Sequence, residues 1–194
     1  MFARTDRLLL RPGWAEDAPA LYEAIADEAV IRNLASPPWP YSLADAEAFL
    51  ATERPVDLPS FLLFRRTCGA PQLIGAAGLG RHSDGTIELG YWIGRPFWGL
   101  GYATEAGEAI MGIARDGLRL RKLTAGHFTD NPASGRVLEK IGFKPTGQYA
   151  QRYSAGRGAT ATCKLFECDL AGADAEADVA EAAISFEKAF CMAA

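Results

Sequence analysis

Hydrophobic and polar positions along this chain change their spacing partway. An opening of short strands and helices gives way to a strand meander, then to alternating strands and helices. Residues 7–11 (RLLLR) predict a short first strand, closed by Pro12-Gly13. Residues 15–26 place Ala18, Leu21, Ala24 and Ile25 at helical spacing. The prolines of residues 36–40 (SPPWP) cannot continue a helix and predict a loop. Residues 43–51 predict the next helix, with Ser42 as its N-cap. The continuous apolar run at 61–64 fits a strand buried on both faces. Residues 73–79 (LIGAAGL) predict a strand whose glycines allow close approach by a backbone or ligand. Asp84-Gly85 is a hairpin turn signal. In residues 86–93, Ile87, Leu89, Tyr91 and Ile93 then point one way, and Glu88, Gly90 and Trp92 the other.

The period next switches to strand–helix–strand–helix. Residues 103–115 carry Ala106, Ile110, Ile113 and Ala114 on one helical face, with Gly117 just past the end. Residues 123–128 predict a strand. Residues 131–141 predict a helix with Asn131 at the N-cap, Pro132 at the first position and Gly142 as the stop. Two more strands are expected near 146–150 and 161–169. Residues 1–170 read as one domain. Residues 171–194 read as an alanine- and acid-rich tail, expected to be helical through Val179, Ala183, Phe186 and Phe190, which could pack on the domain or support a homodimer.

Composition narrows the function classes. A length of 194 residues is enough to bury a core without disulfides or metal. A net charge of −4 gives no basic excess for nucleic-acid binding. Cys68, Cys163, Cys168 and Cys191 form no C-x-x-C pair, and His82 and His127 are the only histidines, so no metal site is expected. No apolar run is long enough to cross a membrane, and the three leucines after Arg7 are too few for a signal peptide. Unpaired thiols then suggest a cytoplasmic protein.

The segment that carries chemistry is 98–106 (WGLGYATEA), between a buried strand and a helix. Gly99 and Gly101 remove side chains and let backbone N–H groups approach a ligand. The helix that follows begins with N–H groups lacking internal partners, at the positive end of its dipole, which suits a pyrophosphate. The hydroxyls of Tyr102 and Thr104 could add contacts. A dinucleotide-binding G-x-G-x-x-G loop is a rival, with Asp130 as its acidic residue. Thr104 stands where its third glycine belongs, and the antiparallel-looking meander upstream counts against it.

Residues 88–106 (ELGYWIGRPFWGLGYATEA) and 130–143 (DNPASGRVLEKIGF) together resemble the two signature blocks of the GNAT superfamily of N-acetyltransferases, and within it the RimJ/RimL-like branch. Trp98, Gly101 and Ala103 fall on the first, fourth and sixth positions of its phosphate loop. Trp98 departs from the usual Gln or Arg, although an aromatic is common in that branch. The resemblance implies an α/β GNAT fold. Its sheet would be mixed and strongly bent, with six or seven strands: an antiparallel N-terminal part, a central parallel pair that splays apart, and helices on both faces. It implies acetyl transfer from acetyl-CoA to a primary amine, either a protein N-terminus or a small amine, by direct attack in a ternary complex.

The same resemblance distributes the roles. The loop from Trp98 through Gly99, Leu100, Gly101, Tyr102 and Ala103 to Thr104 would hold the pyrophosphate. Backbone at Trp92 and Ile93 would receive the pantetheine arm, and Asn131 and Ser134 would also contact the cofactor. Ser134 would hydrogen-bond the departing sulfur. No tyrosine stands where many members carry their acid, and Tyr149 and Tyr153 are the downstream substitutes. Glu88 is the general-base candidate, because a partly buried carboxylate can have its pKa raised toward the working pH. His127 reads as a satisfied half-buried histidine. Arg157 could bind an acidic group on the acceptor, and Trp39, Tyr41, Trp92 and Phe97 could line an acceptor cleft. The alternatives are a CoA-binding module without catalysis and, further off, a dinucleotide-binding oxidoreductase.

Overall fold

The structure, a computed structural model, describes residues 1–53, 55, 57–82 and 84–171. The chain opens with β1 (Ala3–Arg4) and β2 (Leu8–Arg11), then α1 (Ala18–Ile25), α2 (Glu28–Ile31) and α3 (Leu43–Ala51). The meander is β3 (Ser60–Arg65), β4 (Gln72–Arg81) and β5 (Ile87–Ile93). There follow α4 (Tyr102–Gly112), β6 (Lys122–Phe128), α5 (Pro132–Lys140), β7 (Lys144–Ser154) and β8 (Ala159–Asp169).

All eight strands form one sheet in the order β1-β2-β3-β4-β5-β6-β8-β7. Among the described residues, only β5 and β6 pair in parallel. The count exceeds the expected six or seven because β1 has two residues, too few to show a period-two pattern. The four-residue α2 escaped detection for the same reason. β7 runs beyond the predicted 146–150. Its register with β8 shifts between Pro145 and Tyr149, where Gly147 takes a positive φ of 77°, and such a bulge breaks the alternation that marks a strand. The tail expected to be helical lies outside the described residues.

Local chemistry explains the helix starts. Ser42 accepts from the Asp45 amide at 3.2 Å, while the Asp45 carboxylate accepts from the Ser42 amide at 2.8 Å, a reciprocal cap. Asn131 accepts from the Ser134 amide at 3.4 Å, ahead of Pro132. The two faces of the sheet bury separate cores. Ile87, Leu89 and Ile93 of β5 pack with Ala106 and Ile110 of α4 and Leu138 of α5. Leu62, Phe64 and Leu73 pack with Leu21 and Ile25 of α1, Val30 and Ile31 of α2 and Ala46 of α3, with Trp92 against them. Alternation along β5 therefore aims Tyr91 toward the α4–α5 side, and Glu88, Gly90 and Trp92 toward the α1–α3 side.

Candidate active site

β5 and β6 are joined only at Glu88↔Thr124 and Leu89↔Ala125. Thr124 Oγ1 donates to the Ile87 carbonyl at 3.1 Å and fastens the root of the pair. Beyond it the strands separate, and a cleft of about 900 Å³ opens between residues 90–93 and 126–128. That volume is in the range of small-molecule and cofactor sites.

The mouth of the cleft is the turn into α4. Gly99 and Gly101 have positive φ values of 73° and 82°, a region that side-chain-bearing residues rarely adopt. A Cβ at Gly99 would meet nothing within 4 Å, so the turn is open to a ligand. The Glu105 amide, bonded to the Gly101 carbonyl at 3.1 Å, is the first of the turn to find a backbone acceptor. The amides of residues 99–104 have none among the described residues. They lie at the positive end of α4, with Arg136 and Lys140 of α5 lining the same cleft. This set of free amides and cations fits a diphosphate.

Trp98 shapes the turn with its side chain. Its indole Nε1 donates to the Ile93 carbonyl at 2.6 Å and ties the loop to the end of β5. Leu100 differs from its neighbours: its side chain is exposed and does not line the cleft, and its carbonyl accepts from Arg7 Nη1 at 2.9 Å. Arg7 also donates through Nε to Glu105 at 2.6 Å and lies 4.5 Å over the Tyr102 ring. Thr5 donates to the same Glu105 carboxylate at 2.6 Å. Burial alone would raise the Glu105 pKa, but the hydrogen bonds from Thr5 and Arg7 outweigh it and hold it below the ordinary carboxylate value. The connection between β1 and β2 thus braces the turn from outside.

On the α4–α5 side of the cleft, the Tyr91 hydroxyl is 2.8 Å from Ser134 Oγ and 3.1 Å from the Ser134 carbonyl. Burial pushes the Tyr91 pKa up to about 12, so this hydroxyl keeps its proton at neutral pH. Asn131 and Ser134 both line the cleft, as do Trp92, Ile93, Trp98, Gly99, Gly101, Tyr102, Ala103 and Thr104.

On the other side stands Glu88, whose carboxylate accepts two hydrogen bonds from Arg152 of β7, at 2.5 and 2.8 Å, and contacts His82 Nε2. Burial pushes its pKa up, as expected from sequence. The hydrogen bonds and charge of Arg152, with His82 behind them, outweigh burial, and the net direction is down. The expectation of a raised pKa is thereby corrected: Glu88 is an anion across the neutral range. Arg152 is in turn held charged by Glu88.

Several residues singled out from sequence take other places. Arg157 is committed to Asp130, at 2.8 and 2.9 Å, and to the Arg32 carbonyl at 2.5 Å, with its guanidinium over Phe128. It does not line the cleft. His127 lines the cleft, has its Nδ1 2.8 Å from the Phe128 carbonyl and leans on Phe166. Tyr149 and Tyr153 are exposed on β7, away from the cleft. Of the four aromatics expected to line it, Trp92 and Phe97 do, Tyr41 is in the core and Trp39 is exposed. Sequence reasoning missed Tyr91, Arg152, Arg7 and Arg32. Tyr91 carried a faint signal, since a tyrosine on an apolar stripe needs a partner for its hydroxyl. Among the described residues, no group of three or more His, Cys, Asp or Glu could hold a metal ion. No described helix is long and apolar enough to cross a membrane.

Comparison with known proteins agrees with this geometry. Residues 7–144 match the acetyltransferase (GNAT) domain, and the chain belongs to that family. The uncharacterized N-acetyltransferase YoaA of Bacillus subtilis (strain 168) is 30% identical over 154 residues, covering 76% of this chain and 85% of the relative. A GNAT-family acetyltransferase from Bacillus anthracis superposes with a TM-score of 0.74 at 22% identity, covering 88% of this chain and 99% of its own. RimL, a ribosomal-protein α-N-acetyltransferase solved in complex with coenzyme A, superposes with a TM-score of 0.69 at 18% identity, covering 87% and 98%. The protein is an acetyl-CoA-dependent acyltransferase of the N-acetyltransferase type.

Proposed function

We propose that the protein transfers the acetyl group of acetyl-CoA to a primary amine bound on the α1–α3 side of the cleft, by direct attack in a ternary complex. The observation that carries this reading is the opening of β5 from β6 immediately beyond Leu89↔Ala125, with the unpartnered amides of residues 99–104 at its mouth. Acetyl-CoA supplies a thioester carbonyl that a neutral amine can attack with loss of the thiol. The residues that would hold it are the amides of the turn, the β6-facing backbone at Ile93, and Asn131; Trp92, whose carbonyl lies against Gly75 of β4, contributes its side chain to the cleft wall. Leu100 contributes its amide only.

Glu88 and Ser134 are the proposed catalytic pair. Glu88 sits at the root of the splay with its carboxylate ionised, so it draws the proton from the acceptor ammonium through a bridging water and passes it on. Ser134 donates a hydrogen bond toward the departing sulfur, and Tyr91, 2.8 Å from Ser134 Oγ, orients that hydroxyl by donating its own proton to it. The resemblance to the RimJ/RimL-like branch supports a small amine or a protein N-terminus as acceptor. We further propose that the domain ends near residue 170, after β8, that 171–194 form an appended tail able to support a homodimer, and that the unpaired buried thiols Cys163 and Cys168 suit a cytoplasmic setting.

The test combines binding and turnover. Acetyl-CoA should raise the melting midpoint and NAD should not, since a ligand that binds only the folded state stabilises it. Free thiol should then appear with amine acceptors, and Ser134→Ala should lower the rate. Stabilisation by NAD alone would point to the dinucleotide-binding alternative. Binding of acetyl-CoA without thiol release on any amine would point to a non-catalytic module.

A further inference from the structure

The acceptor end of the cleft is poor in available negative charge. Among the described residues, the carboxylates lining the cleft are Glu88 and Asp130. Glu88 is enclosed by Arg152 and His82. Asp130 receives both Nη atoms of Arg157 at 2.8 and 2.9 Å, and Arg32 Nη2 at 3.0 Å. Neither carboxylate is left over to bind a second cation. The cationic side has capacity to spare. Arg32, just after α2, lines the cleft, is about half exposed (54%) and uses a single N–H on Asp130. Arg32 and Arg152, which line the cleft, together with Arg157 behind Asp130, thus stand against two carboxylates here, in a chain whose net charge is −4.

Resting on the acetyl-transfer reading, we propose that the acceptor is an amine carrying a carboxylate, recognised by Arg32, and not a polyamine. A guanidinium presents paired N–H groups that match a carboxylate in shape, and the charge is worth more in a partly desolvated cleft than in water. A polyamine would bring a second positive charge to an acceptor end with surplus arginine and no free carboxylate to receive it. Asp130 remains held by two hydrogen bonds from Arg157 when Arg32 is replaced, so the site keeps its shape in an Arg32 variant.

The experiment uses the full chain, with acetyl-CoA binding measured first by calorimetry. Thiol release is then measured with free amino acids and dipeptides, each paired with its carboxamide, and with spermidine. The expected result is a kcat/KM for carboxylated amines about tenfold or more above that of their carboxamides. In Arg32→Gln that preference should collapse through the acceptor KM, with the KM for acetyl-CoA unmoved, and Arg32→Lys should restore part of it. Faster turnover of carboxamides or spermidine would overturn the proposal while leaving acetyl transfer standing. So would acetyl-CoA binding with no turnover of any carboxylated amine, or a preference that survives Arg32→Gln. Failure of acetyl-CoA to bind would instead remove the reading beneath it.

Discussion

The two edges of β5 differ sharply. Toward β4 every residue from Ile87 to Ile93 has an antiparallel partner, and Gly75 sits so close that a Cβ there would lie 2.2 Å from the Trp92 carbonyl. Toward β6 the pairing stops after Leu89, and on the α1–α3 face beside that gap a Cβ on Gly90 would meet nothing within 4 Å. One strand thus has a closed edge that holds the sheet together and an open edge that leaves backbone for a ligand. Unpaired backbone inside a sheet is normally avoided, so the open edge marks the site more clearly than any single side chain.

Four experiments would break or sharpen that contrast. The largest effect is expected at the root of the open edge. Glu88→Gln should lower kcat by about a hundredfold or more while circular dichroism stays native. An unchanged rate would end its proposed role.

Next come the two glycines. Gly75→Ala on the closed edge should destabilise by about 1–3 kcal/mol, or about 2–4 °C in Tm for each kcal/mol, because the Trp92 carbonyl must shift to make room. Gly90→Leu on the open edge should leave the melting midpoint within about 0.5 kcal/mol of the parent while activity falls. Equal thermal losses in both variants would erase the distinction between the edges.

A smaller effect is expected from the brace behind the turn. Arg7→Ala should raise the KM for acetyl-CoA several-fold and leave the acceptor KM alone, since Arg7 holds the Leu100 carbonyl and Glu105 on the outer side.

The smallest effect at neutral pH comes from titration. Asp17, Glu88, Glu105 and Asp130 all have pKa values below their ordinary ones, because arginines and other donors outweigh burial where burial opposes them. A depressed carboxylate contributes stability that is present above its unfolded pKa of about 4 and lost as pH falls through its folded value. Unfolding monitored between about pH 6 and pH 2 should therefore show stability flat at first and then falling below about pH 4. A chain that kept its stability down to about pH 2 would contradict these pairings.

Legibility followed range. The 43–51 helix was read with its bounds and its Ser42 cap, because the capping bonds join residues three apart. The turn at 98–104 was legible because glycine before a helix start is a local statement about backbone. β1 and α2 were too short to carry a period, and the bulge in β7 interrupted the one it had. At the site, Glu88 was found by its face on β5, yet its ionisation was misjudged. Its governing partner, Arg152, is 64 residues away and arrives by way of β8 and β7. Arg157 failed in the opposite sense: a loop arginine that looked available is spent on Asp130.

The sequence alone determined where the longer strands and helices lie, that a glycine-loosened turn meets a helix N-terminus, and which family's signature blocks the chain carries. Hydrogen bonding and steric freedom over a few residues encode all of these. The tertiary structure decided which carboxylates are free, which hydroxyl touches Ser134, and where β5 parts from β6. Those depend on charges and packing brought together from opposite ends of the chain, and a pKa or a hydrogen bond is set by whatever stands within a few ångströms, however far off in sequence.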